Sequence, residues 1–140
     1  PDYTALPCGP VHADLFRDNL MFEGGSLSGF LDFYFAGCDT FLFDIGVCLT
    51  DWCVDLDSGS ADAVRGAAFL TAYESVRPLM AEERRLLPAL QRSAALRFWV
   101  SRLLDYHMPR DAAVLKLHDP SHFESVLRRR VSDAADEDIF

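Results

Sequence analysis

The stretch "PVHADLFRDNLMFEGGSLSGFLDFYFA", residues 10–36, decides how this chain is read. Leu20, Met21 and Phe22 lead into Glu23, Gly24, Gly25 and Ser26, and a further run from Leu27 to Phe33 follows. This is a strand, turn, strand pattern with glycine where positive backbone φ is wanted. With the turn centred near Gly25, residues whose numbers sum to about 50 face each other, so Asn19 falls opposite Leu31 and beside Asp32. The open end of the hairpin therefore gathers polar groups. His12, Asp14 and Asn19 spell HxDxxxxN, and Asp32 follows on the second strand at the same end.

Outward from the hairpin the chain changes character. Residues 1–9 (PDYTALPCG) carry Pro and Gly breakers and read as an extended connector rather than an element. On the other side, residues 40–131 read as helices. Thr40 to Val54 places Phe41, Ile45, Cys48 and Trp52 at helical spacing, with Leu42, Gly46, Leu49 and Cys53 on the adjoining stripe. Such a helix is apolar nearly all round and belongs at the centre. Residues 55–62 (DLDSGSAD) form a loop by composition, with Ser60 as the expected N-cap of a helix from Ala61 to Val76 that Pro78 stops. Ala81 to His107 is helical in pattern, Pro88 either starting its second segment or kinking it, with Leu96, Trp99, Val100, Leu103 and Leu104 as the expected buried face. Asp119 and Pro120 open a last helix to about Val131, where Arg128, Arg129 and Arg130 suit the C-terminal dipole. Residues 132–140 (SDAADEDIF) are an acidic tail expected to fray.

Bulk properties narrow the possibilities. A chain of 140 residues with 50% hydrophobic content supports one domain with a real core. The formal net charge of -9 argues against nucleic acid and against an anionic membrane, since both reward a basic surface. No apolar run approaches the roughly 20 residues of a membrane span, and the N-terminus lacks the order of a signal peptide, so a cytoplasmic location is expected. Cys8, Cys38, Cys48 and Cys53 form no CxxC pair and read as buried or half-buried thiols. His118 and His122 are four apart, but Asp119 and Pro120 between them mark a helix start, so they read as histidines at a cap rather than a metal grip. The chain starts at Pro1, and its first motif arrives within a dozen residues, as expected of a piece of a longer protein.

The polar groups at the hairpin mouth match the needs of phosphoryl transfer, in which an Asp accepts a hydroxyl proton while an Asn and a second Asp hold magnesium against nucleotide phosphates. Magnesium prefers octahedral oxygen ligands at about 2.0 to 2.1 Å, and a hairpin mouth supplies oxygens that close together. Asp14 has the better claim as base, with His12 as a packed orienting residue. Asp18 and Asp39 read as solvated loop carboxylates. Asp44, an acid in an apolar helix, must be paired if buried and reads as a structural anchor. Arg17, Asp51 and Trp52 are candidate contacts to phosphate or substrate. For Arg17 the alternative is neutralisation of its acidic neighbours, and for Asp51 a substrate ammonium competes with the wet edge of a helix.

"HADLFRDNLMF" followed by "GFLDFYFAGCDTFLFDIGVCLTDWC" resembles the core shared by aminoglycoside phosphotransferases, choline kinases and homoserine kinases of the same fold. The resemblance is sharpest to the bacterial homoserine kinases, at "HADLFRDN", "DFYFA", "TDWC" (50–53), "LRFWVSRL" (96–103) and "HDPSHFESVLRRR" (118–130). It implies that Asp14 is the catalytic base, that Asn19 and Asp32 are magnesium ligands, and that His12 and Asp44 support the catalytic loop. It also implies ATP and Mg2+ as cofactors and L-homoserine as acceptor, a step of threonine synthesis. Three departures are visible. Ala13 stands where protein kinases often have arginine, Phe33 and Tyr34 follow the metal Asp where a glycine would, and Thr50 replaces the asparagine of an "NDWC" motif.

A kinase of this fold needs a β-rich N-terminal lobe with a lysine on the nucleotide phosphates. The lone lysine here is Lys116, outside any strand context, and no glycine-rich phosphate loop occurs. The expected fold is therefore mainly α with a small β-hairpin, the C-terminal lobe of a protein-kinase-like fold without its partner lobe, inactive by itself. Competing readings are an aminoglycoside or choline kinase, a degenerate lobe serving as a binding module, and a helical interaction domain with a chance motif.

Overall fold

A computed structural model describes residues 3–108 and 119–137. Its elements, in order, are strands β1 (Cys8–Val11), β2 (Leu20–Glu23), β3 (Ser26–Phe30) and β4 (Gly37–Thr40), then helices α1 (Phe41–Asp51), α2 (Ala63–Val76), α3 (Ala81–His107) and α4 (Ser121–Glu137). The mainly helical body with a small hairpin is the architecture expected.

The hairpin keeps the expected register at its mouth. Leu20 faces Phe30, Met21 faces Gly29, and the Leu31 amide donates to the Asn19 carbonyl at 2.9 Å. A bulge between Met21 and Phe22 then shifts the register so that Glu23 faces Ser26. Gly24 and Gly25 close the turn at φ 56° and 87°, left-handed values at both central positions that glycine adopts without a Cβ penalty.

A second ladder corrects the reading of residues 1–9 as connector throughout. Cys8 and Gly9 already belong to β1, which pairs antiparallel with β4 from Cys8↔Thr40 to Val11↔Gly37. Neither CGPV nor GCDT alternates apolar and polar residues, so periodicity gave no strand signal. The ladder clamps the base of residues 12–36 and delivers the chain directly into α1.

α1 is central, with Leu42, Ile45, Gly46, Val47, Cys48, Leu49 and Thr50 all buried. Leu42, Ile45 and Leu49 pack with Leu6, Leu79, Leu86 and Leu90, while Val47 meets Ala94, Phe98 and Phe123. Burying each such aliphatic side chain contributes about 1.5–3 kcal/mol. Close approach needs Gly46, where a Cβ would stand 3.2 Å from the Leu90 carbonyl oxygen.

α3 runs unbroken for 27 residues with Pro88 inside it, about 40 Å of helix. Its buried face is Leu86, Leu90, Ala94, Ala95 and Phe98, not the expected Leu96, Trp99, Val100, Leu103 and Leu104. Leu96, Val100 and Leu104 are exposed, and Trp99 and Leu103 half-buried. The large apolar residues suggested one phase, but fully buried Ala94 and Ala95 set another, because small side chains let α1 and α4 approach.

Other boundaries shift by local chemistry. Asp62, not Ser60, caps α2 by accepting from the Arg65 amide at 2.9 Å, because Ala61 is held extended in a bridge to Val54 and the Ser60 carbonyl accepts from the Asp55 amide. α4 continues past Val131 to Glu137, so Arg128, Arg129 and Arg130 do not cap a C-terminus. Arg128 pairs with Glu124, Arg129 bonds the Ser58 carbonyl, and Arg130 reaches Gln91 and the Leu49 carbonyl. Cys48 and Cys53 are buried but Cys8 and Cys38 are exposed, against the expectation of burial for all four. No helix among the described residues is long and apolar enough to cross a membrane. Lys116, His118 and residues 138–140 of the tail lie outside the described residues.

Candidate active site

Leaving β1, residues 12–14 turn across the first half of α1, and Asp44 fixes that turn. One carboxylate oxygen accepts the His12 amide at 2.8 Å and the other the Ala13 amide at 2.7 Å. Ala13 has φ 63°, a left-handed conformation that costs a non-glycine residue about 1–3 kcal/mol. Its carbonyl oxygen accepts from Arg97 Nη1 at 2.5 Å, so the strained residue is gripped from α1 on one side and α3 on the other. Arg97 is itself fixed, its guanidinium lying 4.9, 5.7 and 4.7 Å from the ring centroids of Phe35, Phe43 and Phe98.

His12 is buried, its Nε2 2.8 Å from the Leu31 carbonyl and its ring 4.8 Å from that of Phe33. A carbonyl can only accept, so Nε2 carries the proton and the imidazole ties the loop to the second hairpin strand. Further along, the Leu15 carbonyl accepts from Trp52 Nε1 at 3.0 Å. Asp51 accepts the Arg17 amide at 2.8 Å and its guanidinium at 3.1 and 3.2 Å. Arg17, Asp51 and Trp52 thus spend their polar atoms on holding residues 15–17 to the end of α1.

Asn19 closes the loop. Its Nδ2 donates to the Asp14 carbonyl at 2.7 Å and approaches the Asp14 carboxylate at 3.4 Å, which leaves Oδ1 as a spare acceptor. Asp32 caps the short 3-10 turn at Phe33–Phe35, accepting from the Tyr34 amide at 3.4 Å, and has φ 56°. Among the described residues the non-glycine positions with positive φ are Ala13 and Asp32 alone. Both belong to this site.

Asp14, Asn19 and Asp32 line one cavity of about 270 Å³, together with Phe35, Arg97 and Arg102. Burial raises the Asp14 carboxyl above its ordinary range; Arg97 opposes that rise, and the neighbouring Asp32 adds to it. The carboxylate is thereby a better proton acceptor than a solvated one. For a metal, Asn19 Oδ1 and the Asp32 carboxylate offer two hard oxygens. That set fits magnesium, which takes one or two carboxylates and completes its shell with water and phosphate. No cluster of three His, Cys, Asp or Glu side chains able to hold a metal occurs among the described residues.

A second cavity of about 440 Å³ adjoins the first, lined by Arg17, Asp51, Leu56 and His122, and shares Phe16, Asp18 and Arg102 with it. Asp18 and Asp39 are exposed. The α3 contribution, Arg97, Ser101, Arg102 and Asp105, was not anticipated. Its signal was present as two arginines and an aspartate inside the apolar run from Leu96 to Tyr106.

A family model described as "Phosphotransferase enzyme family" matches residues 1–79. Over 130 residues the chain is 68% identical to a homoserine kinase of Polaromonas naphthalenivorans (strain CJ2), covering 93% of this chain and 41% of that one. It is 58% identical over 142 residues to a homoserine kinase of Paraburkholderia xenovorans (strain LB400), covering 96% and 43%, and 54% identical over 132 residues to one of Janthinobacterium sp. (strain Marseille), covering 94% and 41%. The chain thus spans 41 to 43% of the length of these relatives.

Proposed function

This chain belongs to the phosphotransferase enzyme family, and we propose that it is the C-terminal lobe of a kinase that moves the γ-phosphoryl of ATP to the hydroxyl of L-homoserine, giving ADP and O-phospho-L-homoserine for threonine synthesis. The observation that carries the reading is the convergence of Asp14, Asn19 and Asp32 on one cavity beneath a loop held in a strained conformation. The relatives' shared name supports the acceptor.

In this reading Asp14 orients the acceptor hydroxyl and takes its proton, helped by the raised proton affinity that burial gives it. Asn19 Oδ1 and the Asp32 carboxylate hold Mg2+. Bound there with ATP, the metal neutralises charge on the transferring phosphoryl group. His12, Asp44 and Arg97 keep the backbone of residues 12–14 in place. Arg17, Asp51 and Trp52 do the same for residues 15–17 rather than contacting substrate. The lysine that meets the nucleotide phosphates belongs to an N-terminal lobe of the parent chain, so the 140 residues alone bind nucleotide weakly and turn over nothing.

The test is ATP consumption by the parent chain with magnesium, offered L-homoserine, choline or an aminoglycoside. We expect a rate that depends on L-homoserine and falls about 10²–10⁴-fold in Asp14→Asn, the range for loss of a general base. Stimulation by choline or the aminoglycoside instead would refute the acceptor, and an unimpaired Asp14→Asn would refute the base.

A further inference from the structure

α3 turns two arginines toward the site, and only one of them is used up. Arg97 bonds the Ala13 carbonyl and lies among three aromatic rings. Arg102, five residues further along, has no hydrogen-bond or ion-pair partner among the described residues. Its guanidinium carbon lies 4.3 Å from the centroid of the Phe123 ring. The side chain is half-buried in the wall common to both cavities beside Asp14.

A cation in that position is expensive. Burial pulls its proton affinity below the ordinary arginine range, against the attraction of Asp51, Asp14, Asp18 and Asp119, none of which pairs with it. The guanidinium lies against the Phe123 ring, and its fork of N–H donors is of the kind that matches a carboxylate in two parallel hydrogen bonds. An amino-acid acceptor brings such a carboxylate, and choline does not.

Resting on the acceptor reading above, we propose that Arg102 binds the α-carboxylate of the substrate, so that its far hydroxyl is presented to Asp14, with Asp18 at the rim facing the α-ammonium. Arg102 is then the residue that makes this site select an amino acid rather than an amino alcohol.

Steady-state kinetics of the parent enzyme test this with L-homoserine and with 3-amino-1-propanol, which is homoserine without its carboxylate. Wild type is expected to favour L-homoserine. Arg102→Gln should raise KM for L-homoserine about 10- to 100-fold, the worth of hydrogen bonds to a charged group, and shrink the preference for L-homoserine over 3-amino-1-propanol by a similar factor. Arg102→Met, which keeps an apolar stem over Phe123, should do the same. Retention of the wild-type preference in both variants overturns the proposal. So does a wild type that uses the two acceptors equally well, a result that needs no variant to fold. A wild type that phosphorylates neither refutes the kinase reading itself, and this proposal with it.

Discussion

The two halves of the hairpin segment are held very differently. Of residues 12–19, four (His12, Ala13, Leu15 and Arg17) are hydrogen-bonded to the helical body, through Asp44, Arg97, Trp52 and Asp51. The strands β2 and β3 have their own ladder and little else, and Met21, Phe22, Leu27 and Phe30 are exposed. The Asp14 side of the site is thus built to be rigid before any ligand arrives. Asp32, on the looser side, is tied in through its neighbours, by the Leu31 carbonyl to His12 and by the Leu31 amide to Asn19. A base has to be preorganised against a hydroxyl. Asp32, as the metal ligand of the proposed reading, can be drawn into place by the ion and the phosphates it serves.

The contrast breaks most severely at Asp44. Asp44→Ala strips two amides of their acceptor beside a residue with left-handed φ, and each buried donor left unsatisfied costs about 1–3 kcal/mol. We expect activity of the parent enzyme to fall at least 100-fold with a lowered Tm, whereas near wild-type turnover would show that the loop does not depend on its anchor.

Arg97→Met sharpens the comparison, because it removes the bond to the Ala13 carbonyl in the rigid half, while on the Asp32 side it gives up only a ring contact with Phe35. The turnover should drop less than for Asp44→Ala, and the pH dependence should move in a defined direction. Arg97 lowers the Asp14 pKa, so its removal raises that pKa further. The base is then protonated at higher pH, and the acid limb of kcat/KM shifts upward. A limb that stays in place or moves down would contradict the coupling.

The smallest effect belongs to the loose half. Gly25→Ala puts a Cβ at φ 87° in open space, a backbone cost of about 1 kcal/mol with no clash. Hydrogen exchange should speed up across β2 and β3 and leave α1 and α3 as they were. Faster exchange in the helices as well would mean the hairpin and body unfold as one unit.

What the sequence made legible follows from interactions that are local along the chain. The hairpin register could be counted from its glycines, and the Leu31 amide does meet the Asn19 carbonyl. The burial of α1 could be seen because both of its stripes are apolar. The rest depends on partners distant in sequence. Arg97 meets Ala13 across 84 positions, and the apolar run that surrounds it in α3 marks it as unusual without saying which backbone group it meets. The phase of α3 was misjudged for a related reason, since the alanines that govern its packing carry little hydrophobic weight and matter because of what lies opposite. β1 and β4 were missed because each is recognisable only through the other.

The unbroken run of α3 has an evolutionary consequence. Its first half is locked into the core by Leu86, Leu90, Ala94 and Phe98, while beyond Phe98 much of its surface is open to solvent. Ser101, Arg102 and Asp105 in that second half line the cavity, outside the hydrogen bonds that position residues 12–14. Under the proposed kinase reading, descendants of such a chain can exchange one small hydroxylated molecule for another by drift along a few turns of one helix, while the inherited machinery at the hairpin mouth stays under separate selection.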